Sequence, residues 1–105
     1  MADPFRARVR RSLSWLRDMG AFVYLLLCAD QTLYCGWSTD PERRLEEHQA
    51  GSASRYTRSR RPVELVWVLE CSSRSDAMRQ EARIKALSAA EKRNLIVNEQ
   101  GDAWT

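Results

Sequence analysis

The only histidine of the 105-residue chain, His48, lies four residues after Arg44 in a segment with helical patterning. Positions four apart along a helix are neighbours on its surface. Leu45 is the only large apolar residue of this segment, so the face that turns inward also carries the guanidinium and the imidazole. A charge turned toward a core is costly unless another group meets it. Taken alone, Arg44 is better explained by a structural ion pair, and His48 by a capping or half-exposed histidine.

Two tyrosines and one glutamate are the other candidates for chemistry. Tyr24 and Tyr34 lie on the two strands of a predicted hairpin, and their rings share one face if residue 34 pairs with residue 26. Each tyrosine alone is better explained as a core aromatic with a satisfied hydroxyl. Glu81 lies on or beside the apolar stripe of a later helix. Its carboxylate either pairs with Lys85 one turn further on or binds a hard divalent cation.

Taken together, these side chains suit the hydrolysis of a phosphodiester. That reaction needs a base for the attacking water, a cation that stabilises the developing charge, and often a metal ion on the phosphate. A free tyrosine has a pKa of about 10, so it is a poor base at neutral pH without help from a neighbour. His48 is the candidate for that neighbour.

A basic segment follows the helix that carries His48. Residues 52–62 contain four arginines, one aromatic residue and no acid. The arginines could hold phosphates while the aromatic ring stacks a base, or the segment could be a solvated connector. The candidates for nucleic-acid contact in the whole chain are Gly36, Trp37, Arg55, Tyr56, Arg58, Arg60 and Arg61.

The positive charge is concentrated at the N-terminus. Residues 1–18 contain five arginines and two aspartates, whereas residues 19–105 contain twelve basic and twelve acidic residues. The net charge of +3 therefore belongs to the N-terminal extension. A nucleic-acid site on the rest of the chain must depend on local patterning.

Cysteine usage and hydropathy favour a cytoplasmic protein that does not bind membranes. Three cysteines at unrelated spacings argue against a disulfide framework and a structural zinc site, and they fit a reducing compartment. The apolar run at 21–29 is too short to span a bilayer.

The predicted fold is α/β, with a small three-stranded sheet flanked by helices in the order β-β-α-(α)-β-α-α. Residues 22–28 are apolar on both alternating faces, as in a central strand, and 33–37 return as the second strand of a hairpin. The third strand spans 63–71, and its pattern places four residues on one face: Leu65, Trp67, Leu69 and Cys71.

Helix boundaries follow from capping signals. Thr39 and Glu42 can form a capping box for a helix that ends near Gly51. Ser75 or Asp76 can cap a helix that reaches residue 87, and a short helix begins at residue 88.

Three regions are expected along the chain. Residues 1–18 form a basic N-terminal extension, in which 5–17 can make an amphipathic helix. Alternatively, Met19 is the true first residue of the protein. The domain spans 19–97, and 98–105 form a loose polar tail.

Here the chain resembles a known family. Phe22-Val23-Tyr24, followed after nine residues by Tyr34-Cys35-Gly36, resembles the paired motif of the GIY-YIG nucleases. Arg44 follows eight residues later, where the family has its catalytic arginine, and His48 stands where histidine or tyrosine is common. Glu81 matches the metal-binding glutamate. The resemblance extends over residues 20–97.

The stretches 56–62 and 81–85 resemble the small stand-alone bacterial members and are similar to the nuclease domain of the Slx1 structure-specific endonucleases. Three departures stand out. Phe22-Val23 replaces Gly-Ile, and Trp37 stands where some members carry lysine. For the family's late asparagine there are two candidates, Asn94 and Asn98.

The resemblance implies one magnesium or manganese ion, held mainly by Glu81. Tyr24 would serve as the base or orient the water, with assistance from His48. Arg44 would stabilise the phosphate, and Tyr34 would help to bind or orient it.

Three hypotheses follow. The first is a metal-dependent endonuclease that acts on DNA in preference to RNA, with a repair- or structure-specific role and a protein partner for substrate selection. The second is a nucleic-acid-binding module with weak or silent catalysis. The third is an interaction protein that docks through its N-terminal helix.

Overall fold

The computed structural model describes residues 20–103, with side chains described for residues 20–98. The predicted extension and its helix at 5–17 lie outside the described residues. Within the described part, no helix is long and apolar enough to cross a membrane.

Three strands and four helices make up the fold. The strands are β1 (Ala21–Leu27), β2 (Leu33–Ser38) and β3 (Glu64–Cys71). The helices are α1 (Pro41–Ala50), α2 (Arg55–Arg58), α3 (Arg74–Lys85) and α4 (Ala89–Ala103). The predicted element order and the predicted α/β class are therefore confirmed.

The sheet is antiparallel and has the order β2-β1-β3. Helix α1 packs on one face, while α3 and α4 pack on the other. Residues 21–26 of the central strand are fully buried because both faces are covered. Strand β2 forms one edge of the sheet.

The hairpin register determines which tyrosines share a face. Leu26 pairs with Tyr34, and Tyr24 pairs with Gly36. Side chains alternate along a strand, so the rings of Tyr24 and Tyr34 lie on the α1 face, as the conditional prediction required.

The predicted face of β3 is wrong at one residue. Leu26 pairs with Leu65, but Leu25 pairs with Trp67, so β3 contains one extra residue between the two pairs. A bulge of this kind breaks the alternation. Leu65 therefore packs on the α1 face, whereas Trp67, Leu69 and Cys71 pack on the face covered by α3 and α4.

Two predicted helix caps are also displaced. Asp40, not Thr39, caps α1 by accepting from the Arg43 N–H at 3.3 Å. Ser73, not Ser75 or Asp76, caps α3 by accepting from the Asp76 N–H at 3.0 Å. In both segments several short polar residues compete, and the chain that precedes the helix selects among them.

The last helix begins as predicted but is longer. The Ser88 hydroxyl accepts from the Glu91 N–H, and the Glu91 carboxylate accepts from the Ser88 N–H. This reciprocal pair starts α4, which continues to Ala103 and so includes part of the segment that was predicted to be loose.

Substitution of Ser73 by alanine should lower the free energy of unfolding by about 1 kcal/mol, because the first turn of α3 loses its capping oxygen. Ser75→Ala in the same helix is the matched control and should change it little, since that exposed side chain caps nothing. Urea denaturation of both variants provides the measurement. An equal loss in both would contradict the assignment of the cap.

Candidate functional site

The Tyr24 ring lies across Gly36, its partner on the edge strand. A Cβ atom at residue 36 would lie 2.5 Å from the Tyr24 hydroxyl oxygen and 2.6 Å from Cζ. Real Cβ atoms do not approach so closely, so this position requires glycine. The tyrosine hydroxyl is thereby carried from the central strand over β2, toward the edge of the sheet.

A buried chain of hydrogen bonds leads away from that hydroxyl. The Tyr24 oxygen lies 2.9 Å from His48 Nε2, and His48 Nδ1 lies 2.7 Å from Thr57 Oγ1. Thr57 Oγ1 is in turn 2.9 Å from Ser54 Oγ. His48 and Thr57 are both fully buried. The histidine predicted to face inward does so, with both ring nitrogens engaged.

Burial, with a smaller effect from the positive charge of Arg44, lowers the pKa of His48 to about 4. The imidazole is therefore neutral near pH 7. A neutral imidazole has one N–H donor and one bare nitrogen acceptor, so one of its two partners must donate to it and the other must accept.

Burial and three other side chains shift the pKa of the Tyr24 hydroxyl. Burial is the largest cause and raises the pKa of its hydroxyl well above the usual value of 10.0. Tyr34 and Glu81 raise this pKa as well, while the guanidinium of Arg44 lowers it. Tyr34, Arg44 and Glu81, which come from β2, α1 and α3, therefore lie close enough to influence the ionisation of this phenol.

Glu47 is an additional member of this neighbourhood that the sequence analysis did not identify. Its side chain is half-buried and accepts from Arg44 Nη1 at 2.9 Å. This contact is the largest cause of the raised pKa of Arg44. Arg44 remains 41% exposed, so its guanidinium is both held in place and open to solvent.

A row of aromatic rings extends from His48 to the surface. The Tyr34 ring centroid lies 5.1 Å from that of His48 and 5.8 Å from that of Tyr56. The guanidinium of Arg60 lies 3.9 Å from the Tyr56 centroid, which is a cation–π geometry.

The four arginines of the basic segment differ in availability. Arg60 forms an ion pair with Asp30 at 2.9 Å, and Arg61 donates to the carbonyls of Arg58 and Gln49. The side chains of Arg55 and Arg58 have no partner among residues 20–98 and are exposed. Two of the four candidates for phosphate contact are therefore already occupied within the fold.

Glu81 is the predicted metal ligand. Its side chain is 20% exposed and lies 3.6 Å from Lys85 Nζ, so the predicted pair with Lys85 is present. No group of three or more histidine, cysteine or acidic residues suited to a metal occurs in the described part of the chain. A single carboxylate fits Mg²⁺, which keeps several waters and takes oxygens from a substrate phosphate.

The sequence analysis also missed Thr57 and Ser54. Ser54 caps the four-residue helix α2 by accepting from the Thr57 N–H, and this helix directs Thr57 inward toward His48. The only signal in the sequence is a serine three residues before a threonine, which gives no indication of a contact with residue 48.

Comparison with known proteins identifies relatives over most of the chain. A family model described as the GIY-YIG catalytic domain matches residues 20–94. A UPF0213 protein of Natronomonas pharaonis is 51% identical over 80 residues, which cover 76% of this chain and 94% of that protein. A UPF0213 protein of Syntrophus aciditrophicus is 49% identical over 76 residues, which cover 71% of this chain and 87% of that protein.

Solved structures of similar proteins have the same architecture. The solution NMR structure of a UPF0213 protein from Bacillus halodurans is 37% identical and superposes with a TM-score of 0.51, covering 79% of this chain and 88% of that one. The solution NMR structure of an E. faecalis protein is 35% identical in sequence and has a TM-score of 0.53. The match covers 77% of this chain and 86% of that one.

Gly36→Ala should lower the free energy of unfolding by about 1–3 kcal/mol, because the new methyl group would overlap the Tyr24 ring. The same substitution in a Tyr24→Leu background should cost far less, since leucine lacks the ring atoms in conflict. Denaturation of the two single variants and the double variant measures this coupling. Additive costs would contradict the overlap.

The stability of the fold should decline between pH 6.5 and pH 4. The pKa of His48 is about 4 in the folded state against 6.5 for the free side chain, so its contribution is complete above pH 6.5 and is lost as the pH falls to about 4. The loss should be on the order of 3 kcal/mol. Urea denaturation across this range, compared with His48→Gln, isolates the effect. An unchanged pH slope in that variant would refute it.

Proposed function

The chain belongs to the GIY-YIG family of nucleases, within its UPF0213 group, and on that premise we propose that it is a divalent-metal-dependent endonuclease. The proposed reaction is hydrolysis of a phosphodiester bond in nucleic acid, in DNA rather than RNA. What supports the proposal is that the Tyr24 hydroxyl, 2.9 Å from His48 Nε2, is influenced by the charges of both Arg44 and Glu81. A base, a cation and a metal ligand in one place are the requirements of this reaction.

The proton from the attacking water passes through Tyr24 in the proposed mechanism. Because its pKa is raised, the phenol keeps its proton at neutral pH and cannot act as a preformed phenolate base. Its oxygen can accept a proton from water while its own proton moves to His48 Nε2, 2.9 Å away. The neutral imidazole has a free lone pair for this step when its proton is on Nδ1.

Thr57 is the positioning residue of this relay. Its hydroxyl oxygen, 2.7 Å from His48 Nδ1, accepts the N–H of that tautomer and leaves Nε2 facing Tyr24. Ser54 lies at 2.9 Å and can accept the Thr57 proton. Each group in the buried chain then both donates and accepts in a consistent direction.

Arg44 stabilises the negative charge that develops on the phosphate oxygens. Its ion pair with Glu47 limits the motion of the guanidinium before substrate binds. A preorganised cation does not have to reorganise as charge develops, and this is a major source of catalytic rate. Tyr34, which lies beside His48, helps to orient the phosphate.

Glu81 would hold the Mg²⁺ or Mn²⁺ ion, which would polarise the phosphoryl oxygen as a Lewis acid. His48 is not a candidate ligand, because both of its ring nitrogens are engaged. We also propose a structure-specific or repair role, similarity to the Slx1 nuclease domain, and a protein partner that selects substrates. A cytoplasmic location fits the three cysteines, all of which are free thiols.

A catalytically weak binding module is the alternative, and one contact favours it. The charge of Arg44 is partly neutralised by Glu47 at 2.9 Å, which reduces its attraction for phosphate. In that case Arg55 and Arg58, the unpaired cations of the basic segment, would dominate binding.

Cleavage of flapped and duplex DNA with magnesium or manganese tests the proposal. Glu81→Gln and Arg44→Ala should each reduce the rate by about two orders of magnitude or more, because each removes a group that contacts the reacting phosphate or its metal ion. Glu46→Gln and Arg83→Ala are matched controls of the same residue types, exposed and away from the cluster, and they should retain the rate.

These assays distinguish the endonuclease from the binding module. Cleavage that persists undiminished in Glu81→Gln and Arg44→Ala would overturn the assignment of the site. Salt-sensitive binding of DNA without turnover, with either metal, would establish the binding module instead. A parallel RNA substrate of the same secondary structure decides between DNA and RNA.

A further inference from the structure

A pocket of about 350 Å³ opens beside the proposed catalytic cluster, at the end of strand β2. Its walls come from the end of β2, the turn after it, helix α1 and the first residue of α3. The side chains that matter for its chemistry are Trp37, Asp40, Arg43, Arg44, Glu47 and Arg74. Arg44 also acts on Tyr24, so the pocket and the cluster share one residue.

Trp37 provides a stacking surface in this pocket. It is half-buried, packs against the apolar cluster beneath α3, and also lines the pocket. An indole fixed by packing on one side offers a large, rigid surface on the other. Base stacking on such a ring is favourable and tolerates any sequence, because every base has a π face.

The charges in the pocket leave one cation without a partner. Asp40 is engaged as the cap of α1, and Glu47 pairs with Arg44 at 2.9 Å and with Arg43 at 3.7 Å. Arg74 is exposed and its side chain has no partner among residues 20–98. An unpaired guanidinium that lines the same pocket as an indole is suited to a phosphate whose base stacks on that indole.

We infer that this pocket binds one unpaired nucleotide next to the phosphodiester that is cut, with its base on Trp37 and its phosphate on Arg74. The inference rests on the proposed function, because Arg44 connects the pocket to the catalytic cluster. A volume of about 350 Å³ lies within the usual range for small-ligand pockets and suits a single nucleotide. A base held in a duplex would first have to leave its stack, which costs free energy. The preferred substrate therefore has a single-stranded nucleotide at the cleavage site.

Binding can be measured without catalysis. Fluorescence anisotropy of labelled oligothymidylate with the full chain, in EDTA, should show tighter binding of this strand than of a duplex or of an abasic strand of equal length. Trp37→Leu should weaken binding of oligothymidylate about tenfold and remove the difference from the abasic strand. Trp37→Phe should restore most of the affinity, because it keeps an aromatic face.

Arg74 has an independent test. Arg74→Ala should weaken binding and reduce the dependence of log affinity on log salt by about 0.7, the value for one phosphate contact on a single strand. Arg83→Ala, an exposed arginine on the same helix but outside the pocket, is the matched control and should leave that slope unchanged. Because Arg74 and Arg83 are both exposed, comparison of these two variants tests the inference even if Trp37→Leu fails to fold.

Cleavage assays separate failure of this inference from failure of the proposed function. If the wild-type chain cuts DNA and both variants keep its ratio of flap to duplex cleavage, the pocket assignment is overturned while the nuclease stands. If no cleavage occurs but the variants lose single-strand affinity as described, the pocket stands without the nuclease. Equal affinity of the wild-type chain for single strands, duplex and abasic strand would overturn the inference.

Discussion

The contact between the Tyr24 ring and Gly36 is the constraint on which the arrangement of the site depends. Tyr24 lies on the most buried strand of the sheet, where a polar group would ordinarily be inaccessible to a substrate. Because its partner on the edge strand has no side chain, the ring extends across β2. Arg44 on α1 and Glu81 on α3, from helices on opposite faces of the sheet, both shift the pKa of its hydroxyl. The hydroxyl of a core residue is thus placed over the edge strand while the side chain stays buried.

Burial also sets the electrostatic character of the cluster. In a medium of low dielectric constant, unpaired polar groups are costly and paired ones are strongly coupled. The side chains of Tyr24, His48 and Thr57 satisfy one another, and the pKa values of the phenol and imidazole move in the directions that keep both neutral. Charge is confined to the exposed side of the cluster, where the guanidinium and the carboxylate are partly open to solvent.

Periodicity and spacing in the sequence predicted the features that arise from regular helices and strands. The central strand, the inward face of α1 and the common face of the two tyrosines all follow from regular periodicity. The errors arise where regularity ends. An extra residue in β3 moved Leu65 to the other face, and neighbouring polar residues replaced the expected caps. The contact between Thr57 and His48 depends on the path of an irregular segment, which no local pattern encodes.

The segment between α1 and β3 resembles a dispensable linker, since it is rich in serine and arginine. Its backbone nevertheless forms specific hydrogen bonds. Ser54 caps α2, and the Arg60 carbonyl accepts from the Ala29 N–H in the hairpin turn. A protein engineer who looks for a place to insert a reporter domain or open a circular permutant would select such a connector by composition. In this molecule an insertion there would separate Thr57 from the imidazole it orients, so composition is a poor guide to where the chain can be interrupted.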